Sequence, residues 1–506
     1  MGDCGVAGVV LKAGESVHAY KILRYMLHGL QHRGQLSCGV TLLGPDKNTL
    51  INHKGIGLVD QVLNGQSLEG LLGIGHVRYG TSGIASEGTS LDAGALRRYY
   101  DHVLEESQPF HYRSANPHYE FSFAFNGQLT NDAALRSYFL TNKGYRFKTS
   151  TDTEVLMHVI AEELQNNPEL VPPNLKDVFS RVVGRIDGAY NIVFMDGAGR
   201  FAAIRDPYGF HPLVYAQNNS LIAVASETNA FENIDTIDIS DIHFPQPGTL
   251  LLYDYPHNKE FQEFSLRSPI HSACVLEMIY FMSIVSGYSK NVSVHAVRKR
   301  MGEVMAGIEP LLSRTDFSEF LVVAVPDTAK TAAQSYADIL HLKFDQGGIV
   351  RDSHVGRAFI ADPLRRGESL ELKYGVVKDI VAGKKLVVFD DSIVRGDAAR
   401  RNAIKLYKKA GATEVHFRFT FPPVTSSCHY GIDFPNPEKL ITHQVGEYSS
   451  MPELEQKIAS MLEVNSIKYP SVDLLLGAVS SVLGRSRDAF CTACITGRYP
   501  VPTPPR

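Results

Sequence analysis

The sequence predicts an α/β protein in two parts, the first built on antiparallel sheets and the second on a parallel sheet. Residues 4 to about 255 carry short apolar runs in close pairs, which is typical of β-hairpins layered with a few helices. From about residue 275 the apolar runs alternate with helical patterns, as they do in proteins with a parallel sheet. A polar segment at about 253 to 269 separates the two patterns and is the expected domain boundary.

Composition and charge are those of an ordinary globular protein. The chain has 506 residues, is 44% hydrophobic and carries 50 basic against 54 acidic residues, a formal net charge of −4. This balance argues against nucleic acid or an anionic membrane as the main partner. No apolar run approaches the roughly 20 residues of a membrane-spanning helix, and the first residues lack the pattern of a secretory signal. We therefore expect a cytoplasmic protein.

The first part contains eight predicted strands, rich in aliphatic residues and bounded by turn residues. They are CGVAGVVL, GIGHVRYG, FSFAFNG, NIVFMD, FAAIRD, PLVYAQ, LIAVASE and GTLLLYDY. Helices are predicted over residues 18 to 30 and 151 to 164. Thr151 and Glu154 have the spacing of a capping box at the start of the second helix. The first helix has one apolar stripe, formed by Ile22, Leu23, Met26, Leu27 and Leu30.

The second part alternates strands and helices. In chain order the predicted elements are the strand FLVVAVPD, the helix TAAQSYADIL, the strand KLVVFDD, the helix DAARRNAIKLYKKAGA and the strand EVHFRFTF. KLVVFDD is a nearly continuous apolar run ending in two acids, as expected of a strand that is covered on both faces.

Cys4 raises the first question about chemistry. If the three residues before it were removed, Cys4 would carry both a thiol nucleophile and an α-amine base. An acyl transfer also needs donors for its oxyanion, and an amino-acid substrate needs a cation for its carboxylate and an anion for its ammonium. The candidates are Arg78, Asn126, Gly127 and Asp152. Each also has a structural interpretation: a short residue entering a strand for the cysteine, an ion pair for the arginine, a type I′ turn for Asn-Gly and a helix cap for the aspartate.

Seven motifs taken together resemble the N-terminal-nucleophile glutaminase domain of amidotransferases, from residue 4 to about 250. They are CGVAGV, LQHRGQ, GHVRYGTSG, FNGQLTN, TDTEVL, GAYNIVF and RDPYGFHPL. The resemblance implies an αββα sandwich that hydrolyses the side-chain amide of glutamine. Cys4 would attack, with its own amine as base, and Asn126 and the Gly127 amide would form the oxyanion hole. Arg78 and Asp152 would hold the glutamine.

Three features depart from the usual pattern of this domain. Phe125 stands where a histidine commonly precedes the Asn-Gly pair, and His211 stands where an arginine is usual. The segment between Gly83 and Phe121 is longer than expected. None of the three removes a catalytic group, so production of ammonia is still expected.

The stretch KLVVFDDSIVRGDAARR combines a strand ending in acids, a short loop and the start of a helix. Asp390 and Asp391 can bind a ribose diol or a metal ion, and amides of the loop, which contains Ser392, Arg395 and Gly396, can bind a phosphate together with the helix dipole. The alternative is that the two acids are solvated residues at the end of a strand.

This stretch resembles the fingerprint of type I phosphoribosyltransferases, which bind phosphoribosyl pyrophosphate (PRPP). VAVPDTAKTAA and HVGRAFIADPLRRG resemble the amidophosphoribosyltransferase branch. The first would contribute to the metal and pyrophosphate site and the second to a loop that closes over PRPP. The resemblance implies that Thr328, Asp390 and Asp391 attend Mg²⁺.

One departure concerns the phosphate site. The family usually follows Arg-Gly with Thr-Thr or Thr-Ser, whereas this chain has Asp397 and Ala398. A carboxylate about 4 Å from a phosphate is repulsive by about 1 to 4 kcal/mol, depending on the effective dielectric constant. Asp397 would then weaken the binding of PRPP, unless it caps the helix and points away. A second departure is YFMSIVSGYSKNVSV, where the family commonly has YFARPDS.

Four of the six cysteines lie in the second half of the chain, and two of them form a CxxC pair. They are Cys274, Cys428, Cys491 and Cys494. Four thiolates suit zinc as well as an iron–sulfur cluster. The flanking sequences resemble those of the cluster ligands in the iron–sulfur subclass of amidophosphoribosyltransferases, which implies a [4Fe–4S] cluster with a structural role. Cys38 is interpreted as a small buried residue.

Combining these resemblances, we expect a member of that subclass with three domains: a glutaminase domain at 4–255, a phosphoribosyltransferase domain at 270–450 and a helical tail at 451–506. It would convert glutamine and PRPP to 5-phosphoribosylamine, glutamate and pyrophosphate, the first step of purine synthesis, with Mg²⁺ and the cluster as cofactors. The glutaminase would stay quiet until PRPP binds. A homotetramer or dimer and inhibition by purine nucleotides are also expected.

Two other functions remain open at this point. One is a divergent paralogue that produces ammonia but uses PRPP weakly or not at all, which Asp397 favours. The other is a non-catalytic regulatory or redox-sensing protein that keeps the scaffold and the cluster, which an uncleaved Met1-Gly2-Asp3 end would favour.

Overall fold

The computed structural model of the chain divides into two compact units. The first comprises Met1–Ala273, His429–Asp433 and Pro500–Arg506, and the second comprises Cys274–Cys428 and Phe434–Tyr499. The three-domain division at 4–255, 270–450 and 451–506 stays a prediction. The residues that the structure describes are 4–12, 19–46, 49–66, 68–79, 93–166, 171–254, 257–258, 260–351, 374–432, 434 and 436–501.

The first unit is built on two antiparallel sheets. Its strands are β1 (Gly5–Leu11), β2 (Ser37–Leu43), β3 (Leu50–Ile56), β4 (Leu72–Arg78), β5 (Phe110–Tyr112), β6 (Phe121–Leu129), β7 (Gly188–Asp196), β8 (Arg200–Arg205), β9 (Val214–Gln217), β10 (Leu221–Ala225), β11 (Ile242–His243), β12 (Thr249–Asp254) and β13 (Gln262–Ser265). The order is β11-β9-β10-β1-β4-β2-β3 in one sheet and β13-β12-β8-β7-β6-β5 in the other. All eight predicted strands are present.

Helices cover the outer face of each sheet. They are α1 (Ala19–Gly29), α2 (Val59–Leu63), α3 (Ala93–Glu105), α4 (Asp132–Asn142), α5 (Asp152–Gln165) and α6 (Leu175–Arg185). One apolar core lies between the seven-stranded sheet and α1, a second lies between the two sheets, and a third lies between the six-stranded sheet and helices α5 and α6. The result is the predicted αββα sandwich.

Strand β1 shows why its sequence is apolar on both faces. Val6 and Val10 point into the core between the sheets, whereas Ala7 and Val9 pack with the stripe of α1. Alternate residues of a strand point to opposite faces, so a strand buried on both sides shows no polar alternation. The stripe itself is buried, as predicted.

The capping box predicted for α5 is only half formed. Thr151 is the N-cap and its Oγ1 accepts from Glu154 N at 3.4 Å. The Glu154 carboxylate instead accepts from the backbone of Lys148, at 2.8 Å, and of Thr149, at 2.6 Å. The Glu154 carboxylate thus reaches past the N-cap and binds the backbone of the segment that leads into the helix, which fixes that segment to the start of α5.

The second unit is built on a parallel sheet of order β18-β17-β21-β22-β23. The strands from the unit boundary onward are β14 (Ala273–Cys274), β15 (Gly287–Ser289), β16 (Val292–Ser293), β17 (Leu321–Ala324), β18 (Lys343–Phe344), β19 (Ile349–Arg351), β20 (Tyr374–Val376), β21 (Lys385–Asp390), β22 (Glu414–Phe419), β23 (Ser466–Lys468) and β24 (Phe490–Cys491). The helices are α7 (Val294–Gly307), α8 (Lys330–Leu340), α9 (Lys378–Val381), α10 (Asp397–Ile404), α11 (Ile441–Gln444), α12 (Met451–Leu462), α13 (Val472–Leu483) and α14 (Ala493–Thr496).

Strand β21 is covered on both faces, as KLVVFDD predicts. Leu386 and Val388 belong to the core on one face of the sheet, and Val387 and Phe389 belong to the core on the other. The predicted helix after it begins at Asp397 and, beyond Ile404, continues as a π-helical turn. Among the described residues, no helix has both the length and the hydrophobicity that crossing a bilayer requires.

Candidate functional site

Cys4 lies immediately before β1 and its backbone is held by a buried ion pair. The Cys4 carbonyl accepts from Arg33 Nε at 3.0 Å. Arg33 is fully buried and pairs with the equally buried Glu227, whose Oε1 lies 2.9 Å from His32 Nε2. Because a buried guanidinium with a paired carboxylate cannot move without losing both partners, the position of the Cys4 backbone is well defined.

Asn126 and Gly127 lie inside β6, paired with β7, so the interpretation of this pair as a type I′ turn is wrong. Gly127 has a φ of +145°, and a Cβ there would lie 2.0 Å from Ala189 O, so the position requires glycine. Asn126 is 1% exposed, and neither atom of its side-chain amide has a hydrogen-bond partner among the described residues. An unused buried amide N–H is what an oxyanion hole needs.

Asp152 is the first residue of α5 and is buried. Because Thr151 is the N-cap, the interpretation of Asp152 as the cap is wrong. Its Oδ2 accepts from Leu129 N at 2.9 Å, whereas Oδ1 has no hydrogen-bond partner among the described residues. Burial raises the pKa of Asp152 to about 6, although the Leu129 hydrogen bond acts in the opposite direction. Oδ1 is therefore available to a cation such as a substrate ammonium.

Arg78 ends β4 and is 5% exposed. It forms an ion pair with Glu106, just beyond α3, and its Nη1 donates to Val103 O at 3.3 Å. The interpretation of Arg78 as a partner in an ion pair is thus confirmed. The same arginine is the residue predicted to bind the glutamine carboxylate. The rest of its motif, residues 80 to 83, lies outside the described residues.

In the second unit the side chains at the end of β21 converge on Asp391. Thr328 Oγ1 donates to Asp391 Oδ1 at 2.7 Å, and Ser392 Oγ donates to Asp391 Oδ2 at 2.9 Å. Asp390 Oδ1 accepts from the Asp391 amide at 3.0 Å. The structure therefore brings together the residues predicted to attend Mg²⁺, with Asp391 held by two hydroxyl groups.

The loop after these acids leads into the N-terminus of α10. Gly396 is the N-cap with a φ of +92°, where a Cβ would lie 2.7 Å from Ile441 Cδ1. Asp397 is the first helical residue and is exposed, so it is not the cap. Arg395 is half-buried in the same loop. The predicted closing loop HVGRAFIADPLRRG lies outside the described residues.

The four late cysteines belong to the second unit. Strands β14 and β24, which end at Cys274 and Cys491, pair with each other, and Cys494 O accepts from Thr425 N at 2.9 Å, close in sequence to Cys428. Burial raises the pKa of the Cys274 thiol well above its usual value, and the three other cysteines act in the same direction. Among the described residues, no group of three or more histidine, cysteine or acidic side chains has the spacing of a metal site.

Comparison with known proteins identifies the family. A family model described as a glutamine amidotransferase domain matches residues 96–233. Amidophosphoribosyltransferase 1, chloroplastic, of Arabidopsis thaliana is 35% identical over 512 residues, covering 99% of this chain and 79% of that protein. The amidophosphoribosyltransferase of Archaeoglobus fulgidus is 34% identical, covering 99% of this chain and 98% of that protein. The chain belongs to the amidophosphoribosyltransferase family.

Solved structures extend the amidophosphoribosyltransferase likeness to both units. The glutamine PRPP amidotransferase of Bacillus subtilis, in complex with ADP and GMP, matches with a TM-score of 0.77 and 31% identity, over 98% of this chain and 97% of that one. A structure described as the allosteric regulatory enzyme of purine biosynthesis matches with a TM-score of 0.79 and 31% identity, over 99% and 97%. The predicted fold class, a glutaminase sandwich followed by a type I phosphoribosyltransferase domain, is confirmed.

Several residues that shape the candidate glutaminase site could not be recognised from the sequence. Arg33 lies within the quoted motif LQHRGQ but was given no role, and its partner Glu227 is 194 residues away. Glu106 lies in the segment noted only as longer than expected. The motif around Arg33 is itself polar, so the arginine does not stand out in the sequence, and nothing local marks Glu106 either.

Proposed function

We propose that this chain converts glutamine and PRPP to 5-phosphoribosylamine, glutamate and pyrophosphate, the first step of purine synthesis de novo. The observation that carries the proposal is a pair of buried polar groups without a hydrogen-bond partner among the described residues, the Asn126 amide and Asp152 Oδ1, in the unit that contains Cys4. Most buried polar groups in proteins are hydrogen-bonded, and binding of a ligand is one explanation for a group that is not. Likeness to amidophosphoribosyltransferases over nearly the whole chain supports the same conclusion.

In the glutaminase half, the Cys4 sulfur attacks the side-chain amide carbon of glutamine and its proton passes to the cysteine's own amine. The negative oxygen formed there takes hydrogen bonds from the Asn126 amide and the Gly127 N–H. The tetrahedral intermediate then collapses to a thioester and expels ammonia, which takes the proton from the Cys4 amine. Water hydrolyses the thioester to glutamate. Asp152 binds the substrate ammonium, and Arg78 is the cation for its carboxylate. Residues 1 to 3, which must be removed first, lie outside the described residues.

In the phosphoribosyltransferase half, Asp390 and Asp391 supply the oxygen ligands that Mg²⁺ prefers, with Thr328 beside them. When bound, the ion would neutralise charge on the pyrophosphate that leaves. Thr328 and Ser392 fix the orientation of Asp391, and the amides at the start of α10 would bind the 5′-phosphate. The exposed Asp397 favours a second candidate function, an ammonia-producing paralogue with weak PRPP use, because its charge opposes a phosphate at the same helix end.

The iron–sulfur subclass is part of this proposal. Burial and the neighbouring cysteines raise the pKa values of three of the four thiols, those of Cys274, Cys491 and Cys494, which makes separate thiolates at these three positions costly. Binding to a positively charged iron centre would remove that cost, so the chemistry of the four thiols fits a [4Fe–4S] cluster, although their spacing among the described residues is not that of a metal site. The cluster would hold together strands and a helix that are distant in the sequence.

The partners beyond the substrates are also proposed. The B. subtilis relative was solved with ADP and GMP, which supports purine nucleotides as inhibitors of this chain. The homo-oligomer and the cytoplasmic location remain predictions from the sequence.

The test is the intact mass of protein purified without oxygen, with and without a glutamine analogue that alkylates cysteine. We expect loss of the first three residues and one covalent adduct.

The variant C4A should lose glutamine-dependent synthesis of phosphoribosylamine but keep synthesis from added ammonia, because only the first half uses Cys4. C38A, at the other early cysteine, is the control and should keep both. An intact N-terminus without an adduct would contradict the glutaminase half, and failure to use ammonia would favour the paralogue.

A further inference from the structure

The cation assigned to the substrate carboxylate already has a carboxylate partner within the chain. Nη2 of Arg78 pairs with Glu106 Oε2, and both side chains are almost completely buried, at 6% and 10% exposed. A salt bridge shielded from water persists far better than one on the surface. The arginine is therefore neutralised before any glutamine arrives.

Glu106 is also held by groups other than Arg78. His102 Nε2 lies 3.0 Å from Glu106 Oε1, and Ser150 Oγ donates to the same oxygen at 3.4 Å. Ser150 is two residues from Asp152, the anion assigned to the substrate ammonium. The Glu106 carboxylate therefore lies between the arginine and the segment that carries Asp152, which is where the α-carboxylate of a bound glutamine would be.

The two residues after Glu106 fix its position beside strand β6, which contains Asn126 and Gly127. Gln108 clasps the backbone of Phe125, accepting from its N–H at 2.6 Å and donating to its carbonyl at 3.2 Å. Ser107 is fully buried; its hydroxyl donates to Ser37 Oγ at 2.8 Å and its carbonyl accepts from Lys54 Nζ at 2.7 Å. Because both following residues are fixed, Glu106 is not a side chain that reaches Arg78 by chance.

We propose that Glu106 competes with the α-carboxylate of glutamine for Arg78 and thereby sets the affinity of the glutaminase site for its substrate. Two carboxylates at one guanidinium repel each other, so glutamine must either displace Glu106 or bind with a weakened ion pair. Among the described residues the ammonium end of the site has no such competitor, since Asp152 Oδ1 has no hydrogen-bond partner there. The inference rests on the proposed function, because it assigns Arg78 to the glutamine carboxylate.

The experiment compares E106Q with wild type in glutamine hydrolysis at saturating PRPP. Removing the competing charge should lower the KM for glutamine by about threefold to tenfold, with kcat little changed. The probe that isolates the carboxylate is 4-aminobutyramide, which is glutamine without its α-carboxylate, and its inhibition constant should not change. E105Q is the matched control, since Glu105 is exposed and adjacent and its loss alters net charge equally.

An unchanged or higher KM in E106Q would overturn the proposal, because Glu106 would then hold Arg78 in place for the substrate. The wild-type protein provides a second measurement that does not depend on the folding of a variant. If Glu106 competes, glutamine should bind less than about tenfold more tightly than 4-aminobutyramide, because a full hydrogen bond between charged groups gives more than about tenfold. A larger ratio overturns the proposal. Wild-type protein that releases no glutamate at any glutamine concentration would instead contradict the proposed function.

Discussion

Asp152 is a carboxyl group whose burial opposes its own charge. Among the described residues only one of its oxygens has a hydrogen-bond partner, and burial raises the pKa of Asp152 to about 6. A substrate ammonium would restore the missing interaction, so glutamine and ionised Asp152 stabilise each other. Glutamine binding should accordingly weaken as the pH falls below about 6, when Asp152 takes up a proton.

The variant D152N tests the energetic cost of that charge. The pKa of Asp152 is about 6 in the folded protein, above its ordinary value of 3.8. Between these pH values the folded protein binds more protons than the unfolded chain, so the free energy of unfolding falls as the pH rises from about 4 to 6. Above pH 6 we expect D152N to exceed wild type by up to roughly 3 kcal/mol in free energy of unfolding. The difference should vanish below about pH 4.

Urea unfolding across this pH range provides the measurement for D152N. D187N is the control, because Asp187 is an exposed carboxyl in the same unit. If both variants follow the same pH dependence, the charge of Asp152 is not costly in the folded protein.

At the level of elements, β1 directly follows Cys4, the proposed nucleophile, and is fixed at its start by groups from elsewhere in the chain. The Arg33–Glu227 pair holds the Cys4 carbonyl, and the Val6 amide donates to Ser226 Oγ at 3.0 Å. A strand in the middle of a sheet is paired along its length, but the residue just before it depends on side-chain contacts of this kind.

We expect E227Q to lower the free energy of unfolding by about 3 kcal/mol, because it leaves Arg33 as a buried charge without its counter-ion. Loss of the hold on the Cys4 carbonyl should also lower kcat for glutamine hydrolysis, while ammonia-dependent synthesis is retained. Denaturant unfolding and the two assays provide the test. E232Q, an exposed glutamate in the same segment, should behave like wild type. Equal stability of E227Q and E232Q would contradict a structural role for the pair.

On the scale of the whole molecule, each unit has its own sheets, cores and set of candidate catalytic groups. The glutaminase residues lie in one unit and the PRPP residues in the other. The proposed cluster adds a cross-link within the second unit, between its first strand and its last helix, where the chain supplies Cys274 and Cys494. Because the linked cysteines lie far apart in the sequence, such a cross-link would strongly restrict the conformations of the unfolded chain.

Protein purified without oxygen should contain about four iron and four sulfide per chain if the cluster is present. C494S should lose both, with a lower melting temperature and lower activity, whereas C38A should keep the iron because Cys38 lies in the core beneath α1. Metal and sulfide analysis with thermal unfolding provides the measurement. Zinc without sulfide would contradict the cluster, and full thermal stability of the iron-free protein would contradict its structural role.

The parts of the fold that could be predicted are those encoded over short stretches. Apolar runs and helical stripes identified β1, α1, β21 and the order of the two sheet types, because periodicity is a local property. Strand β3 was missed because its polar residues, among them His53 and Lys54, break the pattern and only one of its seven residues is fully buried. Its partner β2 was also absent from the predicted strands.

The sequence by itself determined the two-part α/β organisation and, through the motifs, the likeness to amidophosphoribosyltransferases, and it supplied the candidate catalytic residues. Only the tertiary structure decided that Asn126 and Gly127 belong to a strand, since that depends on pairing with β7. It also decided the partner of Arg78, because Glu106 lies 28 positions away in sequence. Local patterns report which face of an element is buried, but the partner of a buried charge is set by how distant elements pack, and no short stretch contains that information.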